Sequence, residues 1–211
     1  LKRLHTTRLP ADLARRLPRE RFVPHPRLSA AYQGLQATVP HQDYAHPAQR
    51  QLAAFWKAHA GELAAILERA KQLGRMLQGQ SLELVLCHAD IHTGNLLLPA
   101  PDRLCIVDWD DVMLAPVERD LMFVTVGGFV TDERHEALFF EGYGAATINP
   151  VAMAYYRYER AMQDLAEFAL QVFRADSSDA TKQDSLEWFM AQFAPGGTVE
   201  AAHALGRVLP G

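Results

Sequence analysis

The sequence predicts a mostly α-helical protein with a small β-hairpin element, an α+β fold. Apolar residues recur at helical spacing through most of the chain, most strongly over residues 61–79 and 150–174. The pattern changes in the middle, where apolar runs at 82–87, 95–98 and 104–107 are too short for helices. A proline-containing turn separates the last two runs, which predicts a hairpin preceded by one buried strand.

Length and composition are those of an ordinary globular protein. The chain has 211 residues, 49% of them hydrophobic, and a net charge of -4, which predicts a single domain with a sizeable core. The local basic cluster at 15–21 is interpreted as a solvated face, so no nucleic-acid partner is expected. No apolar run is long enough to span a membrane, and two cysteines are too few for a disulfide framework. These features favour a cytoplasmic location.

The domain is predicted to consist of two parts. Residues 1–46 are interpreted as the end of a linker helix followed by an irregular helical segment, because prolines recur there and no helical period is sustained. Short helices are expected at 10–17 and 27–37. Residues 47–211 form the predicted core of the domain. Its predicted helices cover 47–60, 61–79, 117–126, 132–143, 150–174, 179–193 and 198–208.

Aromatic side chains of the C-terminal helices are assigned to core packing rather than to ligand stacking. They are Tyr155, Tyr156, Tyr158 and Trp188. Both cysteines are likewise interpreted as small buried hydrophobic residues and not as a redox pair.

The most informative feature is a polar motif between the predicted strands. The loop 87–95 has the sequence CHADIHTGN, and the hairpin ends in IVDWD at 106–110. An aspartate, an asparagine five residues later and a second aspartate after a hairpin have the spacing that phosphoryl transfer from ATP requires. In that chemistry one carboxylate orients the nucleophilic hydroxyl, while an amide and another carboxylate hold magnesium on the phosphates.

This spacing assigns three roles. Asp90 is the predicted catalytic residue, because the loop presents its carboxylate where an acceptor hydroxyl would lie. Asn95 and Asp108 are the predicted ligands of Mg²⁺, since amide and carboxylate oxygens suit a hard cation. His92 is grouped with the nucleotide-binding residues, either as support for the loop or as a phosphate or substrate contact.

Neighbouring polar residues receive supporting roles. His88 is predicted to hold the loop through backbone hydrogen bonds, and Asp120 to brace the same loop from the start of the next helix. Asp110 and Asp111 are candidates for substrate contact, although solvated loop carboxylates explain them equally simply. A competing hypothesis is a metallohydrolase whose zinc site consists of His88, Asp90 and His92.

These residues resemble the aminoglycoside phosphotransferase family, which is related to choline kinases and more distantly to protein kinases. The run HADIHTGN resembles the family's catalytic loop, and IVDWDD resembles its metal-binding strand end. Residues 114–123, LAPVERDLMF, are most similar to the spectinomycin phosphotransferase branch. The resemblance implies the C-terminal lobe of a protein-kinase-like fold, with ATP as co-substrate, Asp90 as catalytic base, and Asn95 and Asp108 as magnesium ligands.

The resemblance also implies a β-rich N-terminal lobe with a phosphate-covering loop and a phosphate-binding lysine, which the sequence before residue 47 does not provide. We therefore expect that lobe to be absent and the isolated chain to bind ATP weakly and to be inactive. Apolar surface near residues 1–10 and 96–107 would then be open to the missing lobe or to self-association. A non-catalytic, pseudokinase-like binding module is the alternative.

The acceptor is expected to be a small polar molecule. Acidic residues around the motif favour a cationic acceptor such as an aminoglycoside or an aminocyclitol like spectinomycin, which would make the parent protein an antibiotic-resistance enzyme. Metal binding explains the same charges. We predict that the helices at 150–208 and residues 22–44 together form one wall of the acceptor pocket.

Overall fold

The computed structural model describes residues 1–100, 103–125, 132–206 and 209, and this part of the chain contains ten α-helices and two small sheets. The helices before the motif are α1 (Lys2–His5), α2 (Ala11–Ala14), α3 (Pro26–Thr38), α4 (Pro47–Ala58) and α5 (Ala60–Gln78). Those after it are α6 (Glu118–Val124), α7 (Glu133–Tyr143), α8 (Pro150–Phe173), α9 (Asp179–Ala191) and α10 (Thr198–Gly206).

Helix α8 lies at the centre of the molecule. Its first turn is fixed by Pro150 and by the side chain of Asn149, which accepts hydrogen bonds from the backbone N–H groups of Val151 and Ala152. The helix packs against α3, α5, α6, α9 and α10 and is buried along most of its length. A helix with so wide an apolar face must be covered on several sides.

The core is one continuous cluster that includes residues from both sides of position 47. Its largest side chains include Tyr32, Trp56, Tyr155 and Tyr156, all essentially inaccessible to solvent. The predicted core positions of the three tyrosines of α8 are therefore confirmed. The prediction for Trp188 is wrong: its side chain is 56% exposed, because the buried face of α9 is formed by Ser185, Leu186 and Phe189.

The predicted hairpin is confirmed. Strands β2 (Leu96–Ala100) and β3 (Arg103–Ile106) are antiparallel, with Leu96 opposite Ile106. The predicted strand at 82–87 is shorter than expected and covers only β1 (Val85–Cys87). Its partner, β4 (Met113–Ala115), was not predicted and offers just three residues for pairing, which limits the length of β1.

The segment before α3 joins this second sheet. The backbone N–H of Leu114 donates to the carbonyl of Pro18, and the N–H of Glu20 donates to the carbonyl of Leu114. Beyond this bridge the chain passes close to α5, where an added Cβ on Gly74 would lie 2.3 Å from the carbonyl oxygen of Phe22. These contacts hold residues 18–25 beside the motif.

The predicted helices agree with the structure except at their ends. The helix predicted at 10–17 is only one turn long, Ala11–Ala14. The helix predicted at 117–126 ends at Val124, and its last predicted residue lies outside the described part of the chain, as do residues 207–208 of the C-terminal helix. Among the described helices, none combines the length and the apolar character needed to cross a membrane.

Candidate active site

The buried carboxylate of Asp120 holds the backbone of the loop 87–95 in place. Asp120, in the first turn of α6, accepts hydrogen bonds from the backbone N–H of His88 (3.0 Å) and from that of Ala89 (2.7 Å). Ala89 adopts a φ of 72°, a left-handed conformation that is unfavourable for alanine. The two hydrogen bonds compensate for this strain, so the loop has a defined shape before any ligand binds.

The N-terminal helix α1 reinforces this carboxylate. The Nε2 of His5 lies 2.9 Å from Asp120 Oδ2, and the His5 Nδ1 lies 2.6 Å from the hydroxyl of Tyr143. Ligand atoms of His5, Cys87 and Asp120 lie within 4.8 Å of one another, a spacing that a metal ion could bridge. However, burial raises the pKa of the Cys87 thiol, and the other two side chains already bind each other. We interpret the cluster as a hydrogen-bonded brace.

His88 connects the catalytic loop to the end of the hairpin. Its Nε2 lies 2.9 Å from the carbonyl oxygen of Val107, and its Nδ1 accepts a hydrogen bond from the backbone N–H of Asp90. A carbonyl partner requires a donor, so these contacts define the tautomer with hydrogen on Nε2. Trp109 lies against the His88 ring, with the ring centroids 4.7 Å apart, and remains partly exposed.

The metallohydrolase alternative does not fit this geometry. Both ring nitrogens of His88 have backbone partners, so neither is available to a metal ion. Within the described residues, the one group of His, Cys, Asp and Glu side chains with converging ligand atoms is the brace around Asp120, and it excludes Asp90 and His92.

His92 shapes the second half of the loop. Its Nδ1 accepts a hydrogen bond from the backbone N–H of Gly94, which caps a short 3₁₀ turn at Thr93–Asn95. A side chain at Gly94 would be 2.8 Å from the His92 ring, so this contact requires glycine. The other ring nitrogen lies 3.4 Å from Asp90 Oδ2. His92 thus supports the loop and faces the predicted catalytic carboxylate.

Asp90 lies at the centre of the loop and has a cationic partner from another element. Its Oδ1 accepts a hydrogen bond of 2.8 Å from the Nη1 of Arg160, which belongs to α8. On the other side, the Nδ2 of Asn95 donates to the backbone carbonyl of Asp90 (2.9 Å) and lies 3.5 Å from its Oδ2. The carboxylate is half-buried, with 23% of the side chain exposed.

Asn95 and Asp108 lie next to each other through the hairpin. The backbone carbonyl of Asn95 accepts a hydrogen bond from the N–H of Val107, the residue before Asp108. Asn95 thus links the backbone of Asp90 to the end of the hairpin directly before Asp108. Asp108 adopts a φ of 61°, in the left-handed region that aspartate tolerates better than most residues.

The donor set fits a hard divalent cation. Because the Asn95 Nδ2 binds Asp90, the amide oxygen is directed away from that residue. Asp108 is exposed, and its carboxylate adds two further oxygens. An amide oxygen and a carboxylate beside a polyphosphate are ligands that Mg²⁺ accepts, whereas zinc favours sulfur and imidazole ligands.

A cavity of about 630 Å³ adjoins Asp90 and is rich in carboxylates. One wall comes from residues 18–28 and another from positions 159–167 of α8, so the cavity involves only part of each range predicted for the acceptor pocket, 22–44 and 150–208. Asp110 and Asp111, the candidates for substrate contact, both line it. Its acidic residues are Glu20, Asp90, Asp110, Asp111, Glu159, Asp164 and Glu167.

Two of these carboxyls are buried at the floor of the cavity. Glu159 pairs with Arg119 (2.9 Å) and accepts a hydrogen bond from the backbone N–H of His25; burial nevertheless raises the pKa of Glu159 to about 7. Burial also raises the pKa of Asp164 to about 6, against the opposing effect of Arg160 at 2.9 Å. The combined charge of Glu159 and Asp164 therefore changes near neutral pH.

Sequence reasoning missed the residues that α8 contributes. Arg160 contacts Asp90, and Asp164 and Glu159 line the cavity, yet the helix was predicted only from its apolar period. A usable signal was present. Arg160 and Asp164 are spaced i, i+4 on a helix that is otherwise rich in apolar residues, and a charged pair in such a setting indicates a function or a buried ion pair.

The helical fold and the geometry of this loop are those of a kinase-like C-terminal lobe. Residues 1–162 match the model of the phosphotransferase enzyme family (APH), and the chain belongs to that family. No curated protein matches the sequence.

Two solved structures are similar over nearly the whole chain. Spectinomycin phosphotransferase APH(9)-Ia in complex with ADP and spectinomycin has a TM-score of 0.84 and 27% identity, covering 98% of this chain and 63% of that one. The AMP-bound complex of that phosphotransferase has a TM-score of 0.82 and 28% identity, with coverages of 97% and 63%. The chain thus spans somewhat less than two thirds of the length of these structures.

Proposed function

We propose that this chain is the catalytic lobe of an enzyme that transfers the γ-phosphoryl group of ATP to a hydroxyl of a small molecule. One observation carries the proposal: Asp90, Asn95 and the end of the hairpin before Asp108 are hydrogen-bonded together at the edge of an acidic cavity. ADP and AMP in the similar structures support ATP as the phosphoryl donor. Because ATP and magnesium are abundant in the cytoplasm, we propose that location.

The proposed reaction is a direct displacement. The acceptor oxygen forms a bond to the γ-phosphorus as the bond between that phosphorus and the ADP oxygen breaks, and the hydroxyl proton passes to Asp90. Asn95 and Asp108 would hold Mg²⁺, which neutralises charge on the phosphates when it is bound. His88 and Asp120 maintain the loop that presents Asp90, and Asp110 and Asp111 contact the acceptor.

The acceptor is proposed to be cationic, such as an aminoglycoside or an aminocyclitol like spectinomycin. Seven carboxyl side chains, Asp90 included, and four arginines line the cavity, and Arg119 and Arg160 pair with three of these carboxyls. Ammonium groups of an acceptor would bind the others, such as Asp110 and Asp111. Spectinomycin is the ligand of one similar structure, which supports this class. On this proposal the complete protein would confer antibiotic resistance.

We infer further that the 211-residue chain alone binds ATP weakly and turns over slowly. Three of its lysines have partners elsewhere, Lys2 at Ala145, Lys71 at Glu68 and Lys182 at Ser177, so they do not reach the loop. Isothermal titration of Mg-ATP tests this directly, and micromolar affinity would contradict it.

The test of function uses two proteins, the chain itself and a fusion in which the part of spectinomycin phosphotransferase that this chain does not cover is placed before Leu1. Phosphorus NMR follows the conversion of ATP to ADP and a phosphorylated acceptor in the presence of aminocyclitols and aminoglycosides. We expect Asp90→Asn to lower the rate roughly 100-fold or more. Asp176→Asn, an exposed aspartate far along the chain, is the matched control.

The second candidate, a binding module without catalysis, makes a different prediction. It would bind Mg²⁺ and lose that binding in Asp108→Ala, yet neither the chain nor the fusion would phosphorylate any acceptor. Phosphorylation by the fusion that Asp90→Asn abolishes would exclude it.

A further inference from the structure

The two oxygens of the Asp90 carboxylate have different surroundings. Oδ1 receives a charge-assisted hydrogen bond of 2.8 Å from Arg160 Nη1. Among the residues that the structure describes, Oδ2 has two more distant neighbours, His92 Nε2 at 3.4 Å and Asn95 Nδ2 at 3.5 Å, both at the limit of hydrogen bonding. Oδ1 is therefore committed to the protein, while Oδ2 retains the capacity to accept a hydrogen bond from a ligand.

Arg160 is itself held in place on three sides. Its Nε lies 2.9 Å from Oδ1 of Asp164, one turn further along α8. Its guanidinium carbon lies 5.5 Å from the centre of the Phe123 ring, within the range of a cation–π contact. Helix α8 has more buried residues than any other described helix, so the guanidinium is attached to a rigid element. Such a group can determine the position of a loop side chain.

The planar shape of the guanidinium matters here. Arg160 uses Nη1 for Asp90 and Nε for Asp164, two donors in a fixed relative orientation. A lysine ammonium is a single point donor and could not reproduce this fork. Asp164 also pairs with Arg160, so the positive charge of the guanidinium is shared between the carboxylates of Asp90 and Asp164.

We propose that Arg160 is a positioning residue that holds Asp90 by Oδ1, so that Oδ2 is presented to the acceptor hydroxyl. This inference rests on the proposed phosphotransfer, in which Asp90 receives the hydroxyl proton. In this role Arg160 acts through Asp90 and not through its own contact with the phosphate or the acceptor oxygen. Its role differs from that of an ordinary stabilising ion pair, because its loss should change the position of Asp90 more than the stability of the fold.

The sequence offers a simple spectroscopic test that does not require turnover. The chain has two asparagines, Asn95 and Asn149, so labelling with ¹⁵N-asparagine gives two side-chain amide pairs. Asn95 Nδ2 lies against Asp90, whereas Asn149 Nδ2 donates to Gln80 (3.1 Å) and serves as an internal reference. A changed carboxylate position at Asp90 should shift only the Asn95 signals.

The variants are Arg160→Gln and Arg160→Lys, with Arg174→Gln as the matched control. Arg174 pairs with Asp176 at the C-terminal end of α8, also as an arginine–aspartate pair, but both partners are largely exposed. We expect Arg160→Gln to shift the Asn95 signals by more than a linewidth and to leave Asn149 unchanged. Arg160→Lys should shift them as well, because charge alone does not restore the fork. Arg174→Gln should shift neither pair.

The kinetic arm uses the fusion protein described above. Arg160→Gln and Arg160→Lys should lower kcat roughly 10- to 100-fold while KM for ATP stays the same, since Arg160 acts only on the orientation of Asp90. Urea unfolding verifies that both variants are folded. A purely structural ion pair would lower stability and leave kcat of the folded fraction unchanged.

The outcomes separate the inference from the proposed function. Unchanged Asn95 signals in Arg160→Gln, or an unchanged kcat in an active fusion, would overturn the positioning role. If no acceptor is phosphorylated but the Asn95 signals shift as expected, the proposed function fails while the orientation of Asp90 by Arg160 stands. A shift together with the loss of kcat supports both.

Discussion

Asp120 illustrates how one residue defines the geometry of the whole loop. Its carboxylate has no exposure to solvent and is within 3.0 Å of the donors of His5, His88 and Ala89. A buried carboxylate with three donors is stable only while all of them are satisfied. The strained backbone of Ala89 depends on this arrangement.

Replacing Asp120 by Asn should be strongly destabilising. The amide has one oxygen, and its NH₂ group must face at least one of the N–H donors that the second carboxylate oxygen now accepts. We expect the free energy of unfolding in urea to fall by about 2–4 kcal/mol. Asp110→Asn, at an exposed position, should change it by less than about 0.5 kcal/mol. Equal stabilities of the two variants would contradict the brace.

Burial of Asp164 makes the free energy of unfolding depend on pH, and it determines the sign of that dependence. Its pKa rises from 3.8 to about 6 in the folded chain. Between these values the native state keeps the proton that the unfolded chain has released, so the free energy of unfolding falls as the pH rises through this window and is level above it. Asp164→Asn lacks this titration.

The difference between wild type and Asp164→Asn isolates this one group from the other titrating residues. From about pH 4 to about pH 6.5, the wild type should lose up to about 3 kcal/mol relative to the variant. Urea unfolding of both proteins across this range measures the difference. A constant offset between the two curves would show that Asp164 is ionised in the native state throughout.

The sequence predicted roles for residues that belong to a local motif. Asp90, Asn95 and Asp108 belong to two short runs, and the phosphoryl-transfer chemistry predicts their spacing. Arg160 lies 70 residues beyond Asp90 along the chain, and only the packing of α8 brings them together. No periodicity or motif encodes that contact, so it could not be predicted from the sequence.

At the scale of elements, the hairpin was predictable and the second sheet was not. Strands β2 and β3 are adjacent in sequence, and the proline-containing stretch 99–103 predicts a turn between them. Strand β4 is three residues long and pairs with β1 across about 26 residues, so neither its length nor its neighbours produce a recognisable pattern. The long helices were predicted well because their apolar periods extend over many turns.

Helix packing beside the cavity depends on one close approach between backbones. Gly74, in α5, faces Phe22, whose own φ of 54° is unusual for a bulky residue. A Cβ on Gly74 would lie 2.3 Å from the Phe22 carbonyl oxygen and 3.2 Å from the Tyr155 ring. The backbone oxygen cannot move without displacing the segment that forms one wall of the cavity.

Two glycine-to-alanine variants should therefore change stability in opposite directions. Gly74→Ala should lower the free energy of unfolding by about 1–3 kcal/mol, because the steric conflict outweighs the gain in helix propensity. Gly34→Ala, inside α3 with no atom within 4 Å of the added Cβ, should raise it by about 0.5–1 kcal/mol. Thermal and urea unfolding measure both, and a stabilising Gly74→Ala would disprove the close contact.

For the molecule as a whole, the apolar residues are unevenly covered. The helical core around α8 is fully buried, whereas the hairpin exposes Leu97, Leu98 and Leu104, which are 50%, 72% and 58% accessible. In the sequence this hairpin follows the predicted nucleotide-binding loop. Such an apolar group on a short two-stranded sheet is a surface that another protein segment would cover.

We therefore expect the isolated chain to associate with itself through the hairpin as its concentration rises. Leu98→Lys places a charge at the most exposed of these leucines and should shift the sedimentation coefficient toward that of a monomer. Leu138→Lys introduces the same charge at a leucine of α7 that is 52% exposed, and it should leave the association unchanged. Sedimentation velocity over a range of concentrations compares them. If both variants behave alike, net charge and not the hairpin surface controls association, and the hairpin would need no covering partner.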